Sequence, residues 1–153
     1  MNTQRLCPVY RKWLLLNPSD ARQHRLTMQA QAQKARQQGR LEHARELGYQ
    51  TFEAAKTILC ALQPISAGKE KTVQEDVLAF GTMGIYLSSL LTEAQRKREA
   101  HAILQECQQQ LIAILPLHAT RPSVCKLITA IQQTLEHVCL PNEVSQPMYK
   151  ALH

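Results

Sequence analysis

Apolar residues recur along this chain at intervals of three and four, and strict apolar/polar alternation is nearly absent, so the pattern predicts helices and no sheet. A first short helix opens at Pro8, an N1-like position, carries Val9, Trp13 and Leu16, and stops at Asn17-Pro18. A second runs from an N-cap at Ser19 or Asp20 to about Gln38. Its apolar positions are sparse (Leu26, Met28, Ala32, Ala35), and Gln and basic residues fill most of the rest, so partial burial is expected. Gly39-Arg40 breaks it. A third helix carries Leu41, Ala44, Gly48, Thr51, Ala55, Ile58 or Leu59, and Leu62 as one stripe. It ends near Gln63-Pro64, because proline bars its predecessor from helical geometry.

The stretch from Ile65 to Lys71, ISAGKEK, reads as the clearest loop. A fourth helix starts near Thr72 or Glu75, with Val73, Val77, Phe80, Gly84, Leu87 and Leu91 on a stripe that Leu78, Met83 and Ile85 widen. Gly81, Gly84, Ser88 and Ser89 weaken its helix propensity, and the expected compensation is close approach of a neighbouring helix. Thr92 is the expected cap of a fifth helix, with Ile103, Leu104, Cys107, Leu111, Ile114 and Leu115 as its apolar face and Pro116 as its end. A sixth starts at Pro122-Ser123, repeats Val124, Leu127, Ile128, Ile131, Leu135 and Val138, and stops at Pro141. The fold class is all-α: about six helices in antiparallel hairpins, as a repeat array or a right-handed helical bundle. The organisation expected is a basic N-terminal segment with a short helix over 1–18, a helical-hairpin domain over 19–140 and a tail over 141–153.

Composition narrows the function classes. The chain has 153 residues, 44% of them hydrophobic, which suits one domain with a core and excludes wholesale disorder. Two Phe, one Trp and four Tyr leave that core to aliphatic residues and Ala. The longest uncharged apolar run, Leu111 to Ala119, is about half a membrane span, and WLLL near the N-terminus is too short for a signal-peptide core. With five cysteines in no short pairing motif, reduced thiols and a cytoplasmic location are expected. The charge of +6 is lopsided: residues 1–40 hold eight Lys/Arg and one Asp, and the remainder is close to neutral. Such a quarter can steer acidic partners.

Two segments look alike: AQAQKARQQGRLEHARELGYQTFEAAKTIL and GIYLSSLLTEAQRKREAHAILQECQQQLIAIL. Each gives a helix, a polar break, and a helix whose first turn holds an Ala (Ala44, Ala100), with a small residue (Ala32, Ser88) twelve positions earlier. This resembles the tetratricopeptide repeat, although Ala44 and Ala100 lie 56 residues apart against a family period of about 34, and the second turn has Gln95-Arg96 in place of glycine. The resemblance implies a scaffold that binds peptide segments on a face lined by its first helices. Carried over, that face presents Leu26, Gln29, Gln33, Arg36 and Gln37 in one hairpin and Ile85, Ser89 and Thr92 in the other, with Arg22 and Arg25 one turn earlier. Arg and Gln in that pattern suit an acidic peptide or a C-terminal carboxylate. Self-association is a further expectation, because two hairpins are few for a solenoid.

Catalytic signatures are missing: the chain has no HExxH, CxxC, GxSxG, GxxxxGK[ST] or GxGxxG. Neither an enzyme, a cofactor nor a metal site is expected. Glu75-Asp76 reads as a first-turn acidic pair favourable to the helix dipole. The alternative is a basic helical nucleic-acid-binding or regulatory protein, for which a pI near 9.2 supplies the electrostatics. Against it, aromatic stacking residues are not interleaved with the arginines.

Overall fold

The computed structural model describes residues 6–62 and 70–139, and all of their regular structure is helical. The helices are α1 (Pro8–Leu16), α2 (Pro18–Gln37), α3 (Leu41–Leu62), α4 (Glu70–Glu93), α5 (Lys97–Ile114) and α6 (Pro122–Cys139), with a 3₁₀ turn (Leu115–His118) between the last two. The ISAGKEK loop up to residue 69 and the tail over 141–153 lie outside the described residues.

Three boundaries differ from the sequence reading. Asn17 occupies the N-cap of α2 and Pro18 its first position, so Ser19 and Asp20 fall inside the first turn. Helix α4 begins at Glu70, which moves Asp76 into the second turn, beyond the reach of a terminal dipole. Thr92 does not cap α5. It lies in the last turn of α4, where its hydroxyl donates to Ser88 O at 2.8 Å, and Arg96 takes the N-cap of α5.

Side-chain bridges fix how the helices lie. Arg22 and Arg25 meet Asp76 near one end, and Arg36 meets Glu93 near the other, so α2 and α4 run side by side in the same direction. Tyr49 donates to Glu99 at 2.8 Å, Lys56 pairs with Glu106, and Cys60 donates to Gln110 at 3.1 Å, so α3 and α5 are likewise parallel. At the far side of α4, Ser123 at the start of α6 donates to Glu70 at 2.6 Å. One layer thus holds α2, α4 and α6, and the other holds α3 and α5 with α1 at its edge.

The largest core cluster runs through α3, α4, α5 and α6 and stacks Phe52 on Phe80, with ring centroids 5.1 Å apart. The glycines of α4 serve the close approach that their cost in propensity implied. A Cβ on Gly81 would stand 2.7 Å from Ile131 Cγ2, and one on Gly84 would stand 2.9 Å from Cys107 Sγ. Burial there pushes the Cys107 thiol up to about 12, which leaves it a packing group.

The two segments that look alike in sequence fold alike. Gly39 N–H donates to Arg36 O and Arg40 N–H to Ala35 O; 56 residues later, Gln95 N–H donates to Thr92 O and Arg96 N–H to Leu91 O. Both are Schellman turns, with Gly39 at φ +77° and Gln95 at φ +64° in the left-handed position. Ala44 N–H then returns to Arg40 O, as Ala100 N–H does to Arg96 O. Ala32, Ser88, Ala44 and Ala100 are all buried.

Candidate functional site

The face expected from the repeat resemblance lies along α2 and α4, and its cations are largely spent inside the molecule. Asp76 is fully buried, and Arg22 grips it with both edges of its fork: Nε to Oδ1 at 2.9 Å and Nη2 to Oδ2 at 2.7 Å. Arg25 Nη1 adds a third bond to Oδ1 at 3.0 Å. The hydrogen bonds to Asp76 raise the Arg22 pKa above its ordinary value. Arg25 is only 4% exposed, so it is a clamp between helices and not a ligand contact, a correction to its expected place on the face. Sequence spacing put Arg25 beside Arg22 and Gln29, but it could not reveal a carboxylate 51 residues downstream.

Arg36 lies over the Tyr86 ring at 5.5 Å and pairs with Glu93. Leu26 (56% exposed), Gln33, Gln37 and Ser89 are open to solvent, and Gln29 and Ile85 are half-buried. Thr92 is exposed with its hydroxyl turned to Ser88 O. Arg36 ties the C-terminal ends of the two sets together. The face that remains is rich in side-chain amides and aliphatic groups, and poorer in free positive charge than the sequence implied.

A second concavity, not anticipated from the sequence, follows the seam between α2 and α3. Helix α1 is short and fills only part of it, seating Leu14 against Ala21, Ala54 and Ile58. Beyond the start of α1, among the described residues, the seam forms two confluent grooves that share Gln31 and Leu47. One, of about 410 Å³, is lined by Leu6, Cys7, Tyr10, His24, Met28, Gln31, Leu47 and Gln50. The other, of about 420 Å³, is lined by Gln31, Lys34, Ala35, Gln38, Arg40, His43 and Leu47. Neither lining contains a carboxylate. The Tyr10 hydroxyl lies against His24 Nδ1 and 3.4 Å from Met28 Sδ, and burial raises its pKa. The carboxylates of Glu42 and Glu46 line an adjoining hollow around the Gly39-Arg40 turn, which shares Arg40 and His43 with the second groove. A signal for the seam did exist, since Gln31, Lys34 and Gln38 are spaced three and four apart. Its meaning depends on where α1 packs along α2 and α3, which periodicity does not give.

Among the described residues no three His, Cys, Asp or Glu side chains converge as a metal site, and no helix is long and apolar enough to cross a membrane. Cys7, Cys60, Cys107 and Cys125 are free thiols. Comparison with family models, with curated proteins and with solved structures finds no match to this chain.

Proposed function

We propose that the chain is a non-enzymatic, cytoplasmic protein-interaction module of the adaptor or chaperone-like kind, in which tetratricopeptide-like hairpins hold a segment of a protein partner. The observation that carries this reading is the repeated hairpin, with the same turn bonds, left-handed residue and buried small residues returning after 56 positions. Repetition of a two-helix unit builds a layer of parallel first helices, and such layers are suited to docking an extended or helical segment.

On the α2–α4 face the contacts would come from Leu26, Gln29, Gln33, Gln37, Ile85, Ser89 and Thr92, with Arg22 and Arg36 at the two ends. Glutamine amides donate and accept, so they suit a peptide backbone. Shape and amide pairing therefore weigh more on this face than charge, because Asp76 and Glu93 already neutralise its arginines. The same neutralisation weakens the nucleic-acid alternative, which draws on cations free to meet phosphates.

A photo-crosslinking amino acid placed at Gln33 or at Ser89, one on each helix of the face, tests the reading in cells. The expected result is one protein adduct shared by both positions and missing from a control at Thr129 on α6. Adducts identical at all three positions, or none at the first two, refute it.

A further inference from the structure

We infer that the open half of the α2–α3 seam is a ligand site of its own, taking an acidic segment of a protein partner that carries an aliphatic anchor. This rests on the reading of the chain as a protein-interaction module, and it adds a site and a ligand chemistry that the α2–α4 face does not supply.

The seam already accepts a helix. Leu14 of α1 is 1% exposed where it seats on Ala21, Ala54 and Ile58, so the groove between α2 and α3 has the width and the apolar floor that an inserted side chain needs. Past α1 the same seam has Met28 and Leu47 in its lining, and among the described residues no helix beyond α1, α2 and α3 contributes to it. An aliphatic side chain entering beside Tyr10 would continue the line that Leu14 begins.

Charge identifies the other end. Elsewhere the cations that bridge helices meet carboxylates: Arg11 meets Glu53, Arg22 and Arg25 meet Asp76, Arg36 meets Glu93, and Lys56 meets Glu106. Lys34 and Arg40 are not among these bridges. They line one groove together with His43, are exposed, and share that groove's lining with no carboxylate, while Arg40 and His43 also border the adjoining hollow that holds Glu42 and Glu46. A concave surface with two permanent cations and no anion is complementary to a ligand that brings the anion. Gln31 and Gln38 flank the cations and can pair with the ligand backbone.

Length follows from helix geometry. From Met28 to Gln38 the floor runs along α2 for roughly 15 Å at ~1.5 Å per residue. An occupying segment therefore spans about ten residues if helical or about five if extended, with the aliphatic group at the α1 end and one or two carboxylates at the Arg40 end.

The experiment uses the full chain and fluorescent peptides of about twelve residues. The probe carries a Leu and two Glu at that separation, and its matched control has Gln for Glu. Anisotropy at low ionic strength is read for the wild type, for Lys34→Glu/Arg40→Glu, and for Lys126→Glu on α6, all exposed positions whose variants keep the helical spectrum. The expected result is binding of the acidic probe, a loss of tenfold or more in Lys34→Glu/Arg40→Glu, no loss in Lys126→Glu, and weak binding of the Gln control. Equal affinity for both peptides, or indifference to the double substitution, overturns the proposal. So does an oligonucleotide that displaces the probe with the same dependence on Lys34 and Arg40, or a dimer of the chain that the double substitution dissolves. Crosslinks from Gln33 and Ser89 that persist while the acidic probe fails to bind remove the seam site and leave the interaction reading standing. Probe binding without those crosslinks removes the α2–α4 face instead.

Discussion

Replacing Asp76 by Ala removes the buried carboxylate that Arg22 and Arg25 of α2 both grip. Arg22 loses two hydrogen bonds but keeps a route to water, since a fifth of its side chain is exposed, at 20%. Arg25 has no such route: its side chain is 5% exposed and its Nη1 bond ends on the deleted group. Removing one partner of a buried ion pair costs about 3–5 kcal/mol, because the other charge is left in a poorly solvating interior. For a chain of this size about 2–4 °C of Tm goes with each kcal/mol, so the variant melts about 6–20 °C lower. Urea unfolding followed by circular dichroism measures the change, and an unaltered m-value shows that stability, not the denatured state, has moved. The triple variant Arg22→Met/Arg25→Met/Asp76→Leu is the internal control. Apolar replacement of the whole triad recovers stability to within about 1–2 kcal/mol of the parent, because the desolvation cost goes with the charges. A loss below about 1 kcal/mol in Asp76→Ala would refute the reasoning, since it matches an exposed pair and not a closed one.

Three further outcomes follow from the same geometry. Gln95→Gly raises stability by about 1 kcal/mol in thermal unfolding, because a side chain is removed from a left-handed residue, and an unchanged Tm contradicts the Schellman assignment. Gly81→Ala lowers stability by about 1–3 kcal/mol despite its better helix propensity, since its Cβ would meet Ile131 Cγ2 at 2.7 Å; a stabilised variant means that α4 and α6 do not approach so closely. Desolvation, with Arg121 nearby, holds the pKa of buried His118 below its ordinary 6.5. The unfolded chain therefore takes up a proton that the folded chain refuses, so stability is complete above pH 6.5 and falls as pH drops from there toward the folded pKa. His118→Gln flattens that part of the urea midpoint against pH, and an unchanged slope removes His118 as its source.

The periodicity of three and four was enough to place six helices, and the stripes on α3, α4 and α6 became the core. The error over Thr92 has a local cause. Gln95 adopts the conformation that Gly39 holds in the first hairpin, and a residue that pays for a left-handed angle leaves no mark in composition. The charge pattern misled for a different reason. Arg22, Arg25, Gln29, Gln33 and Arg36 form a good exterior stripe until Asp76, deep in α4, draws two of them inward. Asp76 reads as a helix-terminus residue only for a helix starting at Thr72 or Glu75, and α4 starts at Glu70. The resemblance between Ala32–Ala44 and Ser88–Ala100 was legible in the letters, and its matching hydrogen bonds needed coordinates.

The proposed function places a segment of another protein along the α2–α4 face. A titration of the isotope-labelled chain, 17.4 kDa and within easy reach of NMR, with the partner segment recovered from the Gln33 crosslink tests it most directly. Saturable shifts are expected in the side-chain amides of Gln29, Gln33 and Gln37 and in the backbone of Ile85 and Ser89, with α5 and α6 unmoved. Shifts centred on the exposed apolar side chains Ile112, Leu117 and Val138 would contradict it.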